Sequence, residues 1–304
     1  MSIRVVGIGQ AAVDHLAVVD RYPDPDTRVE LAGFSIQGGG TVANALVLLA
    51  GFDVSCAFVG KLSDDDFGRF ALRSLDAMKV DVSRAVVQPG RLSSFSFTVL
   101  ERESHRRTVF HTAGNLDPLG LDQVDLGCLQ GAELLIVDGN QTEVQIRAAE
   151  EAHKLGVRVM LDAGAIREGM GELVALSDVL LAAERYASEV APRGEIEDSL
   201  IELSRMGPRV VVVTMGKEGS IGLEGDKLVH QPPLQVEVVD TTGAGDIYLG
   251  GYAYALLQGW PLERCMQVAS AAAGLSCRNL GARAALPDLQ EVEAVSWQES
   301  RTPV

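Results

Sequence analysis

A chain of 304 residues, 47% of them hydrophobic and 22% charged, has the length to bury a large core and the composition of an ordinary globular protein. Its net charge of −16 excludes nucleic acid and an anionic membrane surface as the main partner, because both select a cationic face. An anionic small ligand stays open to it only if the positive charge is local: backbone N–H groups, a helix terminus, a metal ion or a few arginines. Cys56, Cys128, Cys265 and Cys277 are dispersed, with no C-x-x-C pair, which predicts buried thiols in a reducing compartment and neither a zinc site nor a disulfide framework. The first residues are already strand-like, without a basic segment or cleavage site, and no apolar run reaches the ~18 residues of a membrane span. A cytoplasmic protein is expected.

Residues 3–9 form an apolar run ending in Gly7-Ile8-Gly9 and predict a buried strand. The glycines suggest a dinucleotide fingerprint, but Gln10-Ala11-Ala12 supplies no third glycine and Asp14 follows instead. Residues 14–37 read as a hairpin leaving the main body, with a turn at Tyr22-Pro23-Asp24-Pro25. Gly38-Gly39-Gly40-Thr41 launches an apolar helix over 42–50, with Thr41 expected as its N-cap and Asn44 as the polar side chain of its first turn. Residues 53–60 predict a second strand. Ser63-Asp64-Asp65-Asp66 then caps a helix on which Phe67, Phe70, Ala71, Leu75 and Met78 share one face, so these acids read as cap residues and not as metal ligands. Alternation over 92–100 and its return at 108–111 predict a second hairpin. Two hairpins around a glycine-rich helix start predict a small sheet standing over one site as a lid.

Beyond residue 118 strands and helices alternate. Strands are expected at 133–138, 157–162, 178–181 and 209–215, and helices at 143–155, 168–176, 184–190 and 196–206. A short hairpin at 222–229 turns on Gly225-Asp226, and helices at 244–258, 262–280 and after Pro287 complete the chain. Repeated strand–helix units define an α/β class: a doubly wound, mostly parallel sheet covered on both faces, with ligands at the carboxyl ends of its strands. No linker divides the chain, so residues 1–304 are expected to form one domain, with a lid at about 14–37 and 92–112.

The stretch from Val238 to Asp246 passes from β-rich residues to Thr242-Gly243-Ala244-Gly245 and then into a helix-period run. Backbone N–H groups therefore meet a helix N-terminus, which is an anion site. Asp246 is out of place as a ligand for that anion and well placed to take a proton beside a phosphate; the plain alternative is a tight turn with a dipole-favoured acid. Asp14 and Asn44 pair an acceptor with an amide, as vicinal hydroxyls require, and Gly39 and Gly40 let backbone approach them. Asn140 lies just past the strand ending at 138 and is expected to face the same pocket, while Arg107 on the second hairpin could cover a phosphate. His105 and His111 have no partner pattern that makes them ligands.

Gly39-Gly40-x-x-Ala43-Asn44 and Asp240-Thr241-Thr242-Gly243-Ala244-Gly245-Asp246 resemble the two signatures of the ribokinase-like (PfkB) carbohydrate kinase family. Val213-Thr214-Met215-Gly216-x-x-Gly219 and Gly281-Ala282 extend the resemblance over the chain, and Gly281-Ala282-Arg283-Ala284 is similar to a bacterial branch acting on ketohexoses and sulfofructose. The resemblance implies an ATP-dependent sugar kinase in which Asp246 is the base and Gly243, Ala244 and Gly245 donate to the transferring phosphoryl group. It places Asp14, Gly39, Gly40 and Asn44 on the sugar, Thr214, Gly216 and Gly219 on the nucleotide, and Asn279 near the adenine. It also sets Asp240 and the carbonyl of Thr242 beside a monovalent cation, often K⁺. The family's Asn-x-x-Glu motif, which helps to organise Mg²⁺, is replaced by Ala183-Glu184-Arg185-Tyr186. Mg²⁺ remains chemically necessary, and Glu184 is the candidate to stand in. Exposed lid edges predict a homodimer through the lid. The competing expectations are a nucleoside kinase of the same fold and a sugar- and nucleotide-binding sensor with weak catalysis.

Overall fold

Strands made of successive apolar residues, such as Val5-Val6-Gly7-Ile8, are buried on both faces and can only sit inside a covered sheet. The computed structural model describes residues 2–104, 106–190, 194–284 and 286–299, so His105 lies outside the described residues. Its first half runs β1 (Val5–Ile8), β2 (Ala12–Val19), β3 (Gly33–Gly39), α1 (Thr41–Gly51), β4 (Cys56–Val59), β5 (Lys61–Ser63), α2 (Asp66–Ala77), β6 (Val86–Gln88), β7 (Phe95–Glu101) and β8 (Arg106–Thr112). The second half continues with β9 (Leu134–Val137), α3 (Thr142–Leu155), β10 (Arg158–Ala163), α4 (Met170–Ala175), β11 (Val179–Ala183), α5 (Glu184–Val190), α6 (Ile196–Arg205), β12 (Val210–Thr214), β13 (Ser220–Glu224), β14 (Lys227–Gln231), α7 (Ala244–Leu257), α8 (Leu262–Ser276) and α9 (Leu289–Glu299).

Eight strands form the main sheet in the order β14-β13-β12-β11-β10-β9-β1-β4, parallel except for the hairpin pair β13 and β14 at one edge. Side chains alternate between two cores. Val5, Leu134, Ile136 and Val212 pack with α1, α7 and α8, while Val6, Leu135, Leu161 and Val211 pack with α3 to α6 on the other face. This is the doubly wound α/β arrangement the periodicity predicts. Gly7 has a packing reason in place of a dinucleotide one: a Cβ there would lie 2.5 Å from Val42 Cγ1, so glycine lets α1 press against β1. All four cysteines are free and buried. No helix among the described residues is long and apolar enough to cross a membrane.

Two local expectations need correction. Gly40, not Thr41, caps α1, because the chain enters the helix at φ 99° with Gln10 O only 2.4 Å from where a Cβ would stand. Met78 follows the last turn of α2 and is exposed, whereas Ala71 and Leu75 are buried as the shared face requires. The acidic run does cap α2: Asp65 Oδ1 accepts from Gly68 N–H at 2.8 Å.

The second sheet, made of the two stretches expected to form the lid, has the order β3-β2-β7-β8. Each expected hairpin is antiparallel, and β2 joins β7 in parallel. Register then sorts the side chains. Gln37, Asp14, Ser96 and His111 form one row across the four strands, and Ile36, His15, Phe97 and Phe110 form the next row on the opposite face. The first face turns to the carboxyl edge of the main sheet. On the second, Phe34, Ile36, Phe97 and Phe110 are exposed, and His15 packs edge-on against Phe67 of α2 at 5.7 Å.

Candidate active site

The turn before α7 is held from within and from behind. Asp240, 5% exposed, accepts from Thr242 N–H at 3.0 Å and Thr242 Oγ1–H at 2.8 Å through Oδ1, and from Gly281 N–H at 2.9 Å through Oδ2. Gly243 then caps the helix in the left-handed region at φ 75°, and a Cβ on it would lie 2.3 Å from Ala282 Cβ. Ala244 N–H reaches Thr241 O at 3.3 Å, while no carbonyl among the described residues accepts from the N–H groups of Gly243 or Gly245. A Cβ on Gly245 would meet nothing within 4 Å, so the helix end is open to a ligand. Unpaired N–H groups at a helix N-terminus attract an anion.

Asp246 stands in the first turn of α7, partly open to the cleft. Its Oδ2 accepts from Asn44 Nδ2 at 2.6 Å, and Asn44 Oδ1 in turn accepts from Arg283 Nε at 2.6 Å. Loss of solvation pushes the Asp246 carboxyl up to about 6; the hydrogen bonds from Asn44 and Thr41 and the charge of Arg283 restrain the rise, and Asp14 adds to it. A carboxylate with such a value is ionised at neutral pH yet basic enough to take a proton. Asp162, at the end of β10, is pushed well above the carboxylate range by loss of solvation and by the charges of Asp246 and Asp138.

A cleft of about 300 Å³ opens between the lid and α7, bordered by Gln10, Asp14, Ser96, Arg107, His111 and Asp246 among others. Asp14 Oδ1 accepts from Ser96 Oγ–H at 2.6 Å. Gly39 backs this carboxylate so closely that a Cβ would lie 2.1 Å from Asp14 Oδ2. Gly40 lines the cleft as well. Arg107 crosses from β8 to the α7 turn, where it donates to Thr241 Oγ1 and lies 4.0 Å from Asp240 Oδ1.

The structure thus brings Asp14, Gly39, Gly40, Asn44, Arg107, Asp240, Thr242, Gly243, Ala244, Gly245 and Asp246 to one place. Asn44 differs from its expected setting: it is 2% exposed and its amide is engaged at both ends, so it faces the base and not open cleft. Asn140 is not among the residues that line the cleft; its N–H donates to Asp138 Oδ1 at 2.9 Å, and Gln10, whose N–H donates to Asp138 Oδ2 at 2.8 Å, does line it. Glu184 is exposed at the start of α5 and borders a separate hollow of about 390 Å³ with Ser188, Glu195 and Met215. Thr214, Gly216 and Gly219 form the turn after β12, in which Met215 N–H donates to Gly219 O at 2.8 Å. Asn279 lies just past α8, two residues beyond Cys277, whose carbonyl accepts from Val239 and Asp240 at 2.8 and 3.2 Å. No described residues form a group of three or more His, Cys, Asp or Glu able to hold a metal ion.

Residue order did not reveal Ser96, His111 or Arg283 as members of the site. Ser96 and His111 enter through the parallel pairing of β2 with β7 and the register of β8, which join stretches far apart in the chain. Arg283 stood inside a motif already noted, Gly281-Ala282-Arg283-Ala284, but a motif does not show which side chain a guanidinium will meet.

A doubly wound sheet, a helix N-terminus with unpaired N–H groups, an adjacent raised carboxylate and a β lid over a polar cleft together define a small-molecule phosphotransferase. A family model described as pfkB family carbohydrate kinase matches residues 2–289, and the chain belongs to that family. An ATP-dependent ribose-1-phosphate kinase of Halopiger xanaduensis is 28% identical over 287 residues, covering 93% of this chain and 95% of the relative. A nucleoside kinase of Methanothermobacter thermautotrophicus is 24% identical over 292 residues, covering 94% and 93%. The solved structure of Arabidopsis thaliana ribokinase complexed with ribose and ATP superposes with a TM-score of 0.84 at 24% identity, covering 97% of this chain and 99% of that one. The protein is a carbohydrate kinase.

Proposed function

We propose that this kinase transfers the γ-phosphoryl group of ATP to a hydroxyl of a small sugar of ketohexose or pentose type, with Asp246 as general base. One observation carries the reading: a carboxylate pushed up to about 6 shares its cleft with Asp14 and its helix end with unpaired N–H groups. Asp14, fixed by Ser96 and backed by Gly39, would accept hydrogen bonds from sugar hydroxyls. The hydroxyl to be phosphorylated gives its proton to Asp246, its oxygen forms the new bond to phosphorus, and the bond to the β–γ bridging oxygen breaks as ADP leaves. Charge on the transferring oxygens is met by the N–H groups of Gly243, Ala244 and Gly245 and by the guanidinium of Arg107 from the lid. Closure of the lid, about 14–37 and 92–112, over residues of the main sheet excludes water as a competing acceptor.

The Thr214 to Gly219 turn and Asn279 are the proposed nucleotide contacts. Mg²⁺ neutralises the β and γ phosphates when bound, and it fits this site through phosphate and water ligands, since Ala183 and Tyr186 offer no carboxylate and Glu184 borders a different hollow. Asp240 and Thr242 offer oxygen only, and Asp240 Oδ2 accepts a single N–H, so a monovalent cation such as K⁺ suits them chemically. The test is ADP release over a panel of ketohexoses, pentoses, sugar phosphates and nucleosides, with and without K⁺. Turnover with a sugar is expected. Exclusive turnover with nucleosides would transfer the assignment to that class, and no ADP with any acceptor would mark a sensor.

We also propose that two copies pair through the outer lid face. The exposed Phe34, Ile36, Phe97 and Phe110 on that face support this, because exposed apolar side chains on a sheet face favour burial against a like surface. Sedimentation should show a dimer that Phe97→Lys with Phe110→Lys converts to monomer; a wild-type monomer at micromolar concentration ends the proposal.

A further inference from the structure

Arg283 is 7% exposed, and among the described residues no carboxylate is bonded to it. Its guanidinium donates to Asn44 Oδ1 at 2.6 Å, Ser74 Oγ at 3.2 Å and Gly39 O at 3.3 Å, all neutral acceptors. Its own N–H donates to Gln37 Oε1 at 2.9 Å, tying the turn to the lid strand β3. A buried cation with neutral partners is costly, and packing alone is served better by an apolar side chain of similar volume. The charges that offset it are the two cleft carboxylates, Asp14 and Asp246, acting at a distance. Burial pushes the guanidinium down to about 10, so it keeps its proton at neutral pH.

We propose that Arg283 is a positioning residue for phosphoryl transfer, acting through Asn44 to hold the Asp246 carboxylate; the proposal rests on the reading of Asp246 as the base. A guanidinium has donors only, so the Asn44 atom facing it must be the carbonyl oxygen, and the amide nitrogen is thereby turned to Asp246 Oδ2. Reversing the amide would set its NH₂ against the guanidinium and its oxygen against the carboxylate, two repulsive contacts in place of two short hydrogen bonds. The neighbours of Arg283 act on the same site. Gly281 N–H holds Asp240, and Ala282 packs against Gly243, so three consecutive residues each brace one part of the α7 N-terminus. This bracing turn exists because α8 ends at Ser276, short of the helix expected to 280.

The test is a double-mutant cycle on the full-length enzyme with Arg283→Met, Asn44→Ala and the pair. Arg283→Met should lower kcat about 10²-fold, with KM for sugar and ATP within about threefold, since a displaced base costs rate and not binding. Because both residues act in one chain, the pair should be no slower than Asn44→Ala alone within about twofold. Losses that multiply, a kcat near wild type, or a change confined to KM would overturn the proposal. If Arg283→Met melts below the assay temperature, Arg283→Lys takes its place in the cycle, keeping the charge while losing the fork that meets Asn44; the same coupling is expected and the same multiplication overturns it. Near-normal turnover of Asp246→Asn sinks the base reading itself, whereas an inactive Asp246→Asn with a multiplicative cycle sinks only the role of Arg283.

Discussion

Asp246→Asn is expected to lower kcat by at least ~10²-fold while sugar binding survives. The amide has the shape of the carboxylate and its oxygen can still accept from Asn44 Nδ2, so the site keeps its geometry and loses only the proton acceptor. Single-turnover rates and sugar affinity measured on the same variant separate the two effects, and near-normal turnover removes Asp246 from the role of base. In the wild type, kcat/KM should rise with pH through an acid limb near the Asp246 value of about 6 and then level off. Stability runs the opposite way. The folded-state value lies above the ordinary carboxylate value, so the folded protein holds this proton more tightly than the unfolded chain, and stability falls as pH rises from the unfolded value towards about 6. Asp246→Asn should therefore melt higher than wild type at pH 8, with the gap closing near pH 4. The residue that lowers stability at neutral pH is the residue proposed for chemistry, as expected where a charge is held partly desolvated for use.

Gly243→Ala should lower kcat by at least ~10²-fold, because it disturbs the donors proposed for the transferring phosphoryl group. The substitution has no easy accommodation. At φ 75° a side chain is strained, and the added methyl would lie 2.3 Å from Ala282 Cβ, on the turn that also holds Asp240 and Asn44. A stability loss of ~1–3 kcal/mol should accompany it. Gly245→Ala separates ligand docking from strain, since its methyl would meet no protein atom within 4 Å. That variant should keep the wild-type melting temperature and still turn over slowly with ATP. A Gly243→Ala enzyme with wild-type kcat would show that the helix end does not meet the phosphoryl group.

Much of this arrangement was readable in one dimension because its causes are local. Unbroken apolar runs mark strands covered on both faces, as at Leu134-Leu135-Ile136-Val137, and glycine before a helix-period run marks an exposed helix end, as at Gly243. The period-2 pattern of 92–100 and 108–111 likewise anticipated β7 and β8. Asn140 and Glu184 show the limit. Both follow strands of the main sheet, yet position in the chain places a residue at the carboxyl edge without saying what it meets there: Glu184 borders another hollow, and the Asn140 N–H turns to Asp138.

Composition, periodicity and two glycine-containing motifs were therefore enough for the α/β class, the two hairpins and the carboxylate at the head of α7, since each depends on residues within a few turns or strands of one another. The partners of that carboxylate were not legible, because they come from distant parts of the chain: Asn44 from α1 and Arg283 from the turn after α8, a contact 239 residues apart, with Ser96 reaching Asp14 across 82. Such contacts depend on how strands pair and where a helix stops. Folding alone turned Asn44 from an open amide into the link between a buried guanidinium and the proposed base, and set the acid of the Thr-Gly-Ala-Gly-Asp stretch beside the cleft that Asp14 borders.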